Sequence, residues 1–198
     1  RGLEWAMLGY AEELEFFATI PADKFPKSVG LPKDQVVKIY LQGAIDTCDH
    51  YLNDCSAADG ITYWDDGAPG LAKLGDWTEK PADPFNDFEP VDASASAIAA
   101  QGLIRLGRYL KSNRYLNAGL QIAATLMDEP YLATSESHQG LLLHSIYHRP
   151  NGWDHVPPGR KIPCGESSLW GDYHLLELAL LIQRMDAGHD YTFFGTTV

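Results

Sequence analysis

Cysteine and positive charge are both in short supply in this 198-residue chain, which holds three Cys and 15 Lys+Arg against 27 Asp+Glu. Three thiols, Cys48, Cys55 and Cys164, make no disulfide framework. Cys48 and Cys55 lie seven apart in a helical pattern. Two turns of helix separate them by roughly 10 Å, too far for a disulfide. No Cys/His spacing suggests a zinc site, so ordinary buried thiols are expected, with no metal and no cofactor. The net charge of −12 argues against a general nucleic-acid binder, which needs a basic face to displace phosphate counterions. No apolar run approaches the roughly 20 residues of a membrane span. A Gly-rich phosphate loop, a Gly-x-Ser-x-Gly elbow and a His-Glu-x-x-His pair are all missing. No strand-like alternation holds over any long window.

Helical periodicity is what remains. Leu3, Met7, Tyr10, Leu14 and Phe17 repeat at helical spacing, as do Val37, Leu41, Ala44, Cys48 and Tyr51. Ala99, Leu103, Leu106 and Leu110 form a third run, Leu116, Leu120, Ala123 and Met127 a fourth, and Leu169, Tyr173, Leu176 and Leu180 a fifth. The spacing predicts five amphipathic helices. The fifth is also apolar at Leu175, Leu178, Leu181 and Ile182, and is expected to be a buried helix. Lys111-Ser112-Asn113 reads as a tight turn between antiparallel neighbours. Short extended pieces are expected at Ile61–Tyr63 and Leu141–Tyr147. Two long connections, about Ser56 to Val91 and Pro130 to Ser168, are too aromatic for disorder and read as ordered, site-building loops. Five helices in hairpins form an incomplete ring or short solenoid that leaves apolar faces exposed. The chain also opens on Arg1 rather than Met. It is therefore expected to be part of something larger.

Chemistry concentrates at a few places. Asp92 opens the run Asp-Ala-Ser-Ala-Ser-Ala and reads as a helix N-cap, or else as a carboxylate at a helix mouth near a substrate. Tyr63-Trp64-Asp65-Asp66 joins aromatic faces to carboxylates, as a sugar site does, or plugs the core from a loop. The stretch from His144 to Lys161 is locally basic in an acidic chain, through Arg149, Arg160 and Lys161. That suits an anionic group or simply a solvated loop. Ser167 or Ser168 can cap the last helix, beside Trp170, Asp172 and Tyr173. Gly171 would cost that helix stability unless something packs closely against it. Arg1 and Trp5, four apart, share a face of the first helix.

Taken together, these segments resemble the unsaturated glucuronyl hydrolases (glycoside hydrolase family 88, with family 105 a near relative). The resemblance is carried by Arg1-Gly2-x-x-Trp5, Tyr63-Trp64-Asp65, Asp92-Ala93-Ser94-Ala95 with Ile98-Ala99-Ala100, Gly140-Leu141-Leu142-Leu143-His144 and Trp170-Gly171-Asp172-Tyr173, in the family's order. It implies an all-α fold, an (α/α)6 barrel of helical hairpins, of which residues 1–198 supply about the C-terminal half. It implies hydrolysis of a 4,5-unsaturated uronic acid from the non-reducing end of lyase products, by hydration of the C4–C5 double bond. The partner is then an anionic unsaturated oligosaccharide, with no nucleic acid and no membrane.

The family's catalytic Asp pair lies upstream of the Arg-Gly-x-x-Trp motif, so no catalytic residue is expected in this chain, and the missing N-terminal half of the barrel is expected to carry it. By the same resemblance Arg1, Trp5, Trp64, His144, Ser168 and Trp170 are the substrate-pocket residues. Leu3 and Glu4 depart from the family's usual Gln-Ala, and Trp170 stands where Tyr is common. A noncatalytic carbohydrate-binding or interaction module on a partial helical toroid is the competing reading. Neither reading names a compartment.

Overall fold

A computed structural model describes residues 1–192 and Phe194. Its elements are five long helices, joined by loops that carry only short 3-10 or π turns. Helix α1 spans Gly2–Thr19, and Glu4 at its third position reaches back to the Arg1 backbone nitrogen at 3.0 Å, one arm of a capping box. It ends as Ile20 turns extended before Pro21. Helix α2, Lys33–His50, follows Pro32 and runs on into a single π turn, Tyr51–Cys55. Helix α3 spans Ala93–Leu110, α4 Asn113–Leu126 and α5 Leu169–Asp186. All five expected helices are present. The third begins six residues before its first strongly periodic apolar position, because Asp92 caps it there.

Helix α3 is the hub, with α1, α4 and α5 all packed against it and α2 packed on α1. Every residue from Ala93 to Gly107 is buried. Small side chains permit this, since each neighbour can come close to the backbone. A Cβ on Gly102 would stand 3.0 Å from the Leu8 nitrogen of α1, and one on Gly107 2.5 Å from the Leu116 nitrogen of α4. Gly119 of α4 is pressed in the same way against Ala100 and Ile104. The pairing of 107 with 116 and of 104 with 119 makes α3 and α4 antiparallel, as the tight turn predicts. Lys111 takes the left-handed conformation in that turn, and the Ser112 N–H closes on the Gly107 carbonyl at 2.8 Å.

One expectation is corrected. Helix α5 is not the buried helix: Leu169 is 86% and Leu176 58% exposed, while His174, Leu175, Leu178 and Leu181 face inward. An apolar composition on every side does not bury a helix when only one of its faces meets α3. The most extensive burial goes instead to residues 93–107 of the Ala/Ser/Gly-rich helix that the others surround. Gly171 does meet a close neighbour: its Cβ would lie 2.7 Å from Ser145 Oγ.

The long loops are ordered by isolated bridges, Ser56 with Thr62, Tyr63 with Val91 and Leu132 with Leu142. These fall at the extended pieces that the sequence suggests, and no strand forms among the described residues. All three thiols are buried and free. Gly107→Ala should lower stability by about 1–3 kcal/mol through overpacking at the α3–α4 contact. Urea denaturation should show a lower midpoint with an unchanged slope.

Candidate functional site

The site is organised around the N-terminus of α3. Asp92 is 2% exposed. Its Oδ1 accepts from the Ser94 N–H at 3.1 Å, the Ala95 N–H at 3.4 Å, the Ser94 hydroxyl and, from the second long loop, the Ile146 N–H at 3.3 Å. Its Oδ2 takes the Arg1 guanidinium at 2.7 Å. Arg1 also donates to the carbonyls of Ile146 and Tyr147. The guanidinium carbon lies 5.1 Å from the centre of the Trp170 ring, and the Trp170 indole N–H donates to Ser94 Oγ at 3.1 Å. The cap reading of Asp92 holds: it caps α3, and with the same carboxylate it fixes Arg1.

Beside this cluster opens a pocket of ≈ 650 Å³, walled by Trp5, Leu8 and Glu12 of α1, Gln101 of α3, and Leu169, Trp170, Tyr173, His174 and Glu177 of α5. Trp5 is 46% exposed into it and rests edge-on against His174, with centroids 4.8 Å apart. Gln101 Nε2 donates to His174 Nδ1 at 2.9 Å and to the His174 carbonyl at 3.2 Å. That leaves the proton on Nε2 of a neutral ring. Burial agrees, lowering His174 from 6.5 to about 4. Glu12 is pushed up to about 7, first by burial and then by the neighbouring Glu15, Glu177 and Glu13 against the pull of Arg105. Glu12 and Glu177 are pocket residues that sequence reasoning missed. Glu12 stands seven residues after Trp5 and Glu177 seven after Trp170, so helical spacing alone could have placed each on its tryptophan's face.

The expected pocket residues separate. Trp5 and Trp170 come together in the ≈ 650 Å³ pocket. Arg1 and Trp64 share two smaller clefts, of ≈ 250 and ≈ 220 Å³, and the Trp64 indole N–H donates to the buried Glu89 at 2.7 Å. His144 lies inside the loop packing, 2% exposed and at φ 62, between the Phe85 and Tyr131 rings. Its Nδ1 accepts from the Gly165 N–H at 3.1 Å, and its carbonyl accepts from the Ala93 N–H at 3.1 Å. Burial lowers its pKa to about 4. Ser168 caps α5 by accepting from the Gly171 N–H at 3.1 Å. In the basic stretch, Lys161 pairs with Asp87 at 2.6 Å and Arg160 stacks on Phe85, while Arg149 lines the ≈ 220 Å³ cleft with Arg1. A separate trio, His50, Cys55 and Asp66, gathers metal-binding donors at the edge of the Arg1–Trp64 cleft.

Two tests follow. Asp92→Ala removes the cap and leaves Arg1 without its buried partner, which should cost about 3–5 kcal/mol; Asp92→Asn keeps a capping oxygen and should cost less, read by urea denaturation. In an NMR titration His144 and His174 should show midpoints of about 4, whereas a midpoint at the ordinary 6.5 would mean solvated rings. Both folded-state values lie below the unfolded one, so each imidazole withdraws stability as pH falls through that window. Glu12 works in the opposite sense, adding stability as pH falls from about 7 to 4.5.

No family model matches the chain. In sequence it is 27% identical over 178 residues to the unsaturated glucuronyl hydrolase of Formosa agariphila, which covers 89% of this chain and 34% of that relative. In structure it matches the unsaturated glucuronyl hydrolase of Bacillus sp. GL1, described as responsible for the degradation of glycosaminoglycan, with a TM-score of 0.64 and 23% identity. That match covers 98% of this chain and 42% of the other. It also matches an unsaturated glucuronyl hydrolase described as specific for heparin, at a TM-score of 0.65 and 21% identity over 94% of this chain and 40% of the other. The chain spans about a third of the length of the curated relatives it matches. Over most of its own length, then, this all-α chain is similar in sequence to the unsaturated glucuronyl hydrolases, and its fold matches about two fifths of their (α/α)6 barrel.

Proposed function

We propose that the protein carrying this chain is a glycoside hydrolase that removes a 4,5-unsaturated uronic acid from the non-reducing end of lyase-generated oligosaccharides. In this reading the chain contributes about the C-terminal half of the barrel, and a catalytic Asp pair comes from the half that precedes it. One carboxyl group donates a proton to C4 and activates water for addition at C5. The resulting hemiketal opens, and the glycosidic bond is lost with net uptake of one water.

The observation that carries the reading is the pocket between α1 and α5, with Trp5 and Trp170 on its walls and Arg1 fixed beside Trp170. Flat indole faces cover the C–H surface of a pyranose ring, and the few polar groups around them set its orientation. The raised pKa of Glu12 leaves part of the population uncharged near neutrality, which lessens repulsion of a uronate carboxylate. The neutral His174, buttressed by Gln101, holds Trp5 from its edge without adding charge.

The test uses the whole protein and an unsaturated glycosaminoglycan disaccharide, following loss of the ultraviolet absorbance of the conjugated double bond. Turnover is expected. Trp5→Ala should lower kcat/KM by about 30-fold, ≈ 2 kcal/mol of lost stacking, and the isolated 198-residue chain should be inactive. Binding by the whole protein without turnover would favour the noncatalytic carbohydrate-binding module instead.

A further inference from the structure

The trio at the edge of the Arg1–Trp64 cleft has a geometry that the hydrolase reading does not use. Helix α2 ends at His50 and widens into the π turn Tyr51–Cys55. That i→i+5 turn sets Cys55 on the same side as His50, and such turns recur at functional sites. The loop that returns from the Ser56–Thr62 bridge then brings Asp66 over both. Cys55 Sγ lies 3.3 Å from Asp66 Oδ2, His50 Nε2 lies 3.6 Å from the same oxygen, and the three donor atoms all fall within 4.8 Å of one another.

A tetrahedral zinc ion, with bonds of about 2.3 Å to sulfur and about 2.0–2.2 Å to nitrogen and oxygen, holds its donors roughly 3.3–3.7 Å apart. The two distances to Asp66 fit that spacing. The second ring nitrogen, His50 Nδ1, meets Asp54 Oδ2 at 2.9 Å. A carboxylate on Nδ1 fixes the tautomer that leaves Nε2 free to ligate, the arrangement that supports most zinc-bound imidazoles. Three protein donors leave one position open. It faces the ≈ 250 Å³ cleft shared with Arg1, Glu4, Trp64 and Asp65, where a water or a ligand hydroxyl fits.

We propose that His50, Cys55 and Asp66 form a zinc site, with Asp54 orienting His50 and the fourth coordination position open to the Arg1–Trp64 cleft. The mixed sulfur, nitrogen and oxygen donor set favours zinc over the oxygen-seeking magnesium and calcium. Binding replaces the Cys55 thiol proton, which leaves to solvent as the thiolate forms. The inference does not depend on the hydrolase reading.

The experiment strips the whole protein of metal with a chelator under reducing conditions and titrates it with cobalt(II), a spectroscopic stand-in for zinc. One equivalent should bind with a thiolate-to-cobalt charge-transfer band, and added zinc should abolish the band. Cys55→Ser should remove the band. His50 and Asp54 are exposed, so His50→Ala and Asp54→Ala should keep the helical circular dichroism of the parent. His50→Ala should lose tight binding, and Asp54→Ala, which changes no ligand, should weaken it about 10- to 100-fold. These two variants decide the matter even if Cys55→Ser fails to fold. No charge-transfer band in the folded parent, a band that survives Cys55→Ser, or parental affinity in His50→Ala would each overturn the site.

Discussion

The carboxylate of Asp92 is the constraint on which the rest of the site depends. It satisfies backbone donors that α3 cannot satisfy for itself, and a negative charge at that end meets the helix dipole favourably. The same carboxylate takes Arg1 from the start of α1 and the Ile146 N–H from the second long loop, while Ser94 carries the network on to Trp170 of α5. Two helix starts, one loop and one aromatic wall are thus referred to a single buried charge. Its burial is tolerable because nearly every lone pair has a donor and the charge has an opposite partner.

Around that point the packing is set by small side chains. Residues 93 to 107 are surrounded because Ala, Ser and Gly let α1, α4 and α5 approach the backbone of α3. Close approach on one side leaves long side chains for the other. Trp5 and Tyr173, on the outer faces of α1 and α5, stand half exposed and, with Trp170, wall the aromatic pocket. The hub and the pocket are two consequences of one distribution of side-chain size.

Charge is arranged in layers behind the pocket. Arg105, 1% exposed, pairs with Glu15 at 2.6 Å and lies 3.8 Å from Glu12. Glu15 holds the nearer contact, so Glu12 is left with more desolvation than attraction, and its carboxyl titrates near neutrality. The pocket therefore combines aromatic faces with a carboxyl of adjustable charge and an imidazole held neutral. In the proposed reading, that combination accommodates an anionic sugar despite the overall acidity of the chain.

Helical period revealed the five helices, because an apolar stripe at 3.6-residue spacing is a local property; the short Lys-Ser-Asn break marked the α3–α4 turn, and aromatic content marked the ordered loops. The Asp92 cap was legible for the same reason, as it is written within one turn of helix, whereas Arg1 and Trp5, four apart on α1, line different cavities. What the tertiary structure decided is which faces meet. It made α3 rather than α5 the buried helix, since burial depends on how many neighbours surround a helix and not on its composition. It turned His144 into the loop packing, a left-handed residue between two rings that no local pattern announces. It set Glu12 and Glu177 on one pocket from helices more than 160 residues apart. It also gathered His50, Cys55 and Asp66, whose spacing resembles no metal motif until a π turn and a returning loop close the distance. Local chemistry dictates elements and caps; contacts between distant segments exist only once packing has chosen them.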